Sequence, residues 1–456
     1  MAGSIAHVGT EPRAISTSLR DSLGTLRRSR HPYACKLRLF LYEPYLKHLR
    51  AQQIAGHHMG MPKTSGQEAF AKNVSCLEAP CQFDSFITHN TRQYTSEVPI
   101  YQRLVSTCPL VTDPENADLF LVPFYFGYMM TLGWGVHAKS APGERRDTLR
   151  SDHRKMMGSA IAVRHALPYL NNQTAARHVF LFTCDSQFVN IDLHPLLRHS
   201  LVVHLGDDEF AGDPRVRGSK LKRLHLPNGL IVPYRVSHWM PFGFSPLTAA
   251  GPRRVLLSMN VNIERHLIRK QIVSHVRAAA ARMDIPGDRL VLASSMMSPP
   301  EAVELVRSST FCLCPTGDSK GFTARFYFTL LHGCLPVRVD GWARNTTATP
   351  ATYPFAQLIN WDRIVIDVPP DRLDTLLPRL ARMPASELED RQNYLRHVAH
   401  WLLFDHDQHA HHDASAAVIH TIQQRLGIDG ESAVGMLESR RPAHRHGMAE
   451  VVSHLT

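Results

Sequence analysis

Two successive α/β units, each a parallel sheet covered by helices on both faces, are what this amino-acid sequence predicts. Three observations predict it. Almost unbroken apolar runs of strand length, such as His178–Thr183 and Thr310–Cys314, alternate with segments of helical spacing. Strands that are apolar on both sides are buried on both faces, which is the condition of a parallel sheet. A Pro- and Gly-rich stretch from Pro241 to Pro252 then breaks the rhythm, which restarts at Arg254. The 456-residue length suits two ordinary domains.

Taken in order, residues 1–30 are polar, with Arg and Ser, and read as a disordered lead-in. The first domain spans 31–245, the second 246–426, and a loose polar tail fills 427–456. Order begins at a strand, Lys36–Tyr42. A polar loop with Gly56, Gly60, Pro62 and Gly66 leads to a helix over 96–107 that stops before Pro109. Asp118–Pro123 is a strand closed by its proline. Helical spacing over 145–170 precedes three strands, His178–Thr183, Leu201–Leu205 and Leu230–Tyr234. After the linker come a strand at Arg254–Ser258, a helix over 263–282, a strand at Leu290–Leu292 and a helix over 299–308. Thr310–Cys314, a helix over 323–332, and strands at Leu335–Val339 and Ile364–Val368 follow. One or two helices occupy 385–426.

The composition narrows the function. The chain is 44% hydrophobic and 20% charged, so it can build cores and is not a disordered protein. Its net charge of +11 points to anionic partners such as nucleotide phosphates or acidic glycans. That charge is spread along the chain, which argues against a nucleic-acid arm. No apolar run approaches the ~20 residues of a membrane span. The eight cysteines are too sparse for a disulfide scaffold; Cys76 and Cys81 can bridge, whereas Cys312 and Cys314 read as core. Sequons at Asn73, Asn172 and Asn345 are compatible with a secretory lumen. The His-rich segment from His406 to Asp413 has metal-like spacing, but with 28 histidines in the chain a cluster arises readily, and no metal is expected.

The chemistry concentrates between Ser309 and Val337. A buried strand ends at Pro315, a loop carries Gly317 and Gly321, and a helix starts near Thr323 and closes at Gly333. Loop amides and a helix N-terminus form an anion site, and Arg325 in the first turn can fork onto a diphosphate. The glycine spacing is not that of a Walker loop. Asp185, which ends a strand of the first domain, is a candidate acceptor base or the cap of its own turn. Asp208, in the Asp207–Glu209 run after Leu205, is the rival base or part of a solvated acidic turn.

These segments resemble the exostosin-like glycosyltransferases. The resemblance is carried by Ser309–Gly317, by Arg325, and by Gly333-Cys334-Leu335-Pro336-Val337. It extends to Asp113–Tyr125, Ala176–Asp185, and Pro354-Phe355 with Asn360-Trp361-Asp362, in order over about 36–425. It implies a GT-B fold, two Rossmann-like domains facing a cleft, with the acceptor on the first and a nucleotide-sugar donor on the second. It further implies an inverting, metal-independent transfer, with no cofactor and a UDP-linked co-substrate, onto a glycan or glycoprotein. A Golgi lumenal location follows from the resemblance, with a membrane or partner-protein tether, since no anchor is visible. The donor-binding candidates are Ser258, Asn260, Thr316, Gly317, Asp318, Ser319, Arg325, Phe328 and Gly333. Two positions depart from the family: Phe328 stands where a ribose-binding Glu is usual, and Ser258–Asn260 where a glycine is usual. They motivate an alternative, a non-catalytic subunit that binds glycan or stabilises an active partner.

Overall fold

A computed structural model describes residues 35–42, 96–122, 167–183, 199–206, 228–236, 253–293, 297–315, 323–339, 353–404 and 413–428. The first unit holds β1 (Leu39–Leu41), helix α1 (Glu97–Thr107), β2 (Leu110–Val111), β3 (Leu119–Val122), β4 (His178–Phe182), β5 (Leu201–His204) and β6 (Gly229–Ile231). The six strands form one sheet in the order β2-β1-β3-β4-β5-β6, with every pairing parallel. The second unit holds β7 (Val255–Asn260), α2 (Leu267–Met283), β8 (Leu290–Ala293), α3 (Pro299–Ser308), β9 (Ser309–Pro315), α4 (Ala324–Leu331), β10 (Leu335–Val339) and β11 (Ile366–Val368). Its five strands run β11-β10-β9-β7-β8, again all parallel. Two doubly wound parallel sheets in succession are the α/β architecture that the apolar strand pattern predicts.

Local sequence explains the element ends. Ser298 and Glu301 form a reciprocal capping box at the start of α3, with Pro299 and Pro300 in the first turn where no amide partner is needed. Asp284 takes a left-handed conformation to stop α2. Three features depart from expectation. The edge strand β2 is only two residues long, too short to show a periodicity. The last strand begins at Ile366, because Trp361–Arg363 forms a 3₁₀ turn first. A further helix, α5 (Leu373–Ala381), was not anticipated because Pro378 lies inside it. Its buried Leu373, Leu376, Leu377 and Leu380 have the spacing of one helical face, and that face packs on α2.

The terminal region resolves into two helices, α6 (Ala385–Val398) and α7 (Ala414–Arg425). Helix α7 returns to the first unit and packs on α1. Asp413 accepts from Ala416 N at its N-terminus and ion-pairs with Arg103 of α1 at 3.4 Å. Gln423 accepts from the Lys36 amide at 2.9 Å, and Arg425 donates to the carbonyls of Asn228 and Gly229. Asp413 is therefore a helix cap; the histidines expected beside it, His406 to His412, lie outside the described residues. Among the described residues no three potential ligands cluster as a metal site.

Two disulfides correct the reading of the cysteines. Cys35 bonds Cys108, and Cys312 bonds Cys334. Cys312 lies opposite Pro336 of the neighbouring strand, so Cys334 sits two residues down on the same face. That proximity exists only once β9 and β10 are known to be neighbours. Cys314 is buried and free, and burial raises its thiol to about 11. Cys76, Cys81 and Cys184 lie outside the described residues.

In the first sheet, His178 is fully buried, with its ring stacked 4.5 Å from Phe120. Nδ1 faces the Thr174 carbonyl at 2.8 Å and Nε2 faces the Tyr42 hydroxyl at 3.0 Å. The carbonyl can only accept, so Nδ1 carries the proton and Nε2 accepts from tyrosine. Burial then holds the imidazole neutral and lowers its pKa from 6.5 to about 4. The unfolded chain binds this proton at a higher pH than the folded one. The resulting stability is therefore complete above pH 6.5 and lost as pH falls toward 4, about 3 kcal/mol at most. Urea unfolding at pH 7 and pH 4.5 should show this loss, with a shallower pH slope in His178→Asn.

Candidate donor site at the carboxyl edge of the second sheet

In the second sheet β7 is followed by β8 on one side and by β9 on the other, so the strand order reverses between β7 and β9. Ligands of open α/β sheets collect outside the carboxyl ends of strands at such a reversal. Asn260 ends β7 and Pro315 ends β9. The helices that follow these strands, α2 and α4, start from this edge. Neither Ncap side chain, His266 or Thr323, bonds to the first-turn amides; the Arg269 and Phe326 amides donate to the carbonyls of His266 and Thr323, at 3.1 and 2.9 Å, and the amides before them in each first turn have no side-chain cap.

Each helix places an arginine in its first turn. Arg325 is partly buried, and no hydrogen bond or ion pair holds its guanidinium among the described residues. Arg269 is buried and donates to the Asn262 carbonyl at 2.9 Å, which fixes its direction. The two cations feel each other. Burial chiefly lowers the Arg325 pKa; the Cys314 sulfur opposes that shift and the Arg269 charge adds to it. Like charges converging over two helix N-termini are an unfavourable arrangement in an empty site and a favourable one around an anion. Arg269 was missed by sequence reasoning. Its signal was a basic residue in the first turn after the first strand of the second unit, the counterpart of Arg325.

The remaining donor candidates divide. Asn260 is buried at the strand end, and its side chain makes no hydrogen bond among the described residues, so its amide remains open to a ligand. Ser258 is different. It lies mid-strand opposite Cys312, and its hydroxyl faces that disulfide sulfur at 3.5 Å, buried in the sheet interior. Phe328 packs against Ala302, Val306, Cys312 and Cys334, and its ring sits 4.4 Å from His332. It fills the apolar layer between α3 and α4. A ribose contact from Phe328 is ruled out by that packing.

Gly333 lies at the far end of α4 from Arg325. It stops the helix with a φ of +73°, and a Cβ there would meet Arg253 Nη2 at 2.7 Å. Arg253 donates to the carbonyls of Val306, Ser309 and His332, clasping the C-terminal ends of α3 and α4. The glycine is thus required for a structural clasp, not for a donor. Trp361 is also structural, buried with its indole N–H on the Pro354 carbonyl at 2.8 Å. Thr316, Gly317, Asp318 and Ser319 lie outside the described residues, as do Asp185 and Asp208. Those aspartates follow the carboxyl ends of β4 and β5 in sequence. The two units touch near this edge, where Tyr234 beyond β6 lies 5.9 Å from the Tyr327 ring of α4.

Comparison with known proteins bears on what the site serves. Two proteins of Oryza sativa subsp. japonica named as probable glucuronosyltransferases are similar to this chain. One is 24% identical over 79% of this chain and 73% of its own length, the other 24% identical over 70% and 69%. A trehalose 6-phosphate synthase of Burkholderia multivorans is 10% identical and covers 65% of this chain and 78% of its own, with a TM-score of 0.31. A glycosyltransferase of Rickettsia africae ESF-5 is also 10% identical, with 76% and 97% covered and a TM-score of 0.32. The exostosin GT47 domain matches residues 37–383, from the first strand through the helix that follows the last one, and the chain belongs to this family of glycosyltransferases.

Proposed function

We propose that the protein transfers a sugar from a nucleotide diphosphate donor, UDP-linked, onto a glycan or glycoprotein acceptor with inversion at the anomeric carbon. The observation that carries this reading is the pair of first-turn arginines, Arg269 and Arg325, at the strand-order reversal. Cleaving a sugar–diphosphate bond builds negative charge on the leaving diphosphate. The Arg269 guanidinium, held by the Asn262 carbonyl, the Arg325 guanidinium and the uncapped N-termini of two helices stabilise that charge as it forms. The Asn260 amide is the neutral donor beside them. The relatives' names favour a glucuronic acid donor. Inversion needs one displacement and a base for the acceptor hydroxyl; Asp185 and Asp208 are the candidates, in the first domain. The two disulfides support an oxidising lumenal compartment such as the Golgi.

The alternative, a glycan-binding subunit without turnover, rests on the two departures from the family, the absence of the usual carboxylate at Phe328 and of the usual glycine at Ser258–Asn260. Calorimetry with UDP and GDP, followed by turnover of UDP-glucuronic acid and UDP-hexoses, separates the readings. The transferase reading expects UDP binding that weakens with salt and release of UDP in the presence of acceptor. Binding without release selects the subunit; absence of nucleotide binding removes both donor assignments.

A further inference from the structure

We propose that Asn172 is an N-glycosylation site, a reading that rests on the lumenal location above. Of the three sequons, Asn172-Gln173-Thr174 is the one within the described residues. It lies on an exposed turn before the 3₁₀ segment Ala175–Arg177 that leads into β4. The turn is built by its neighbours. Asn171 Oδ1 accepts from the amides of Gln173 at 2.9 Å and Thr174 at 3.1 Å. The Thr174 hydroxyl donates to the Tyr169 carbonyl at 2.5 Å and accepts from the Asn171 amide at 3.1 Å. The Asn172 side chain takes no part: it is exposed and makes no hydrogen bond among the described residues. A glycan added there before folding displaces no contact as the turn closes.

Position in the sheet adds a second reason. Asn172 precedes the amino end of β4, whereas Asn260, Arg269 and Arg325 belong to the carboxyl edge of the second sheet, and the first sheet's own carboxyl edge lies beyond Phe182. The glycan would project from the edge of the first sheet remote from its ligand-facing ends. A bulky, hydrophilic modification is tolerated on such a surface and not at a cleft. The reaction joins the Asn172 amide nitrogen to the anomeric carbon of an oligosaccharide carried on a lipid diphosphate. The bond from that carbon to the diphosphate oxygen breaks, the lipid diphosphate leaves with the electron pair, and the amide loses one proton to the transferring enzyme.

The test directs the full chain into the lumen of a eukaryotic secretory host with a cleavable leader and maps peptides after a glycosidase that converts glycosylated Asn to Asp. The expected result is conversion at Asn172, with a one-glycan mobility step lost in Asn172→Gln and in Thr174→Ala but kept in Thr174→Ser. Nucleotide affinity of Asn172→Gln should equal that of the unmodified sequence. An unconverted Asn172 in the lumenal protein overturns the proposal at the turn itself. Conversion there with an unconverted Asn172 in the protein from its natural source overturns it through the compartment, and the donor reading is untouched by either outcome.

Discussion

Arg325→Ala should weaken UDP binding by about 2 kcal/mol, roughly thirtyfold in Kd, as expected for losing a charge-assisted contact to phosphate. Turnover should fall further, by about 10²–10³, because the guanidinium opposes charge that is fully developed only as the diphosphate leaves. The discriminating readout is stability. The Arg325 side chain is partly buried, has no partner among the described residues, and lies in the field of Arg269. Removing it takes away a desolvated cation and a like-charge repulsion, so the melting temperature should hold or rise. A residue that served the fold would do the opposite. Calorimetry and thermal unfolding on one preparation give both numbers; unchanged UDP affinity would sink the assignment. Arg269→Ala should lose binding similarly but keep less stability, because its guanidinium also ties the Asn262 carbonyl that precedes α2.

Replacing both Cys35 and Cys108 by Ser should destabilise the first unit by about 4 kcal/mol, the loop-closure entropy of a bridge across a sequence separation of 73. The structural role matches this magnitude. Cys35 precedes β1 and Cys108 precedes the two-residue edge strand β2, so the bond holds an edge whose own ladder is only two residue pairs long. Leu39 N donating to the Pro109 carbonyl at 2.8 Å is the contact next to it. Denaturant melts of the double variant, against the native protein with and without reductant, measure the effect. In thermal unfolding, at about 2–4 °C per kcal/mol for a unit of this size, the midpoint should drop by about 10 °C. A shift below about 1 kcal/mol would mean that the sheet edge is held by packing alone.

The strand pattern was the most legible part of the chain, because burial on both faces writes itself as continuous apolar runs. The helices α3 and α4 were equally plain, one from its helical spacing over 299–308 and the other from its closing glycine. Pro378 concealed α5, since a local rule against proline outweighed four leucines at helical spacing. The site was half legible. Arg325 could be read from its distance to a glycine loop. Arg269 had only its first-turn position as a signal, and what gives that position weight is β7 and β9 being neighbours, a fact of topology. The same ignorance misassigned Phe328 and Gly333. Both sit in the signature segment, yet a helix has two ends and several faces, and only packing tells which of them meets the ligand. Cys312 failed for the same cause: its partner is reached across strands.

Helix α7 has a consequence for how the protein comes to be made. The hydrogen bond from the Lys36 amide to Gln423 joins positions 387 apart, so the neighbourhood of β1 is finished by the last helix among the described residues. On a ribosome adding ~5–20 residues per second, the leading half would wait on the order of tens of seconds for its closing piece. During that interval the face of α1 that α7 later covers stays bare to solvent. The order of translation thus creates a period of vulnerability in which a chaperone has something to hold, and a gene cut between the two halves would make that period permanent.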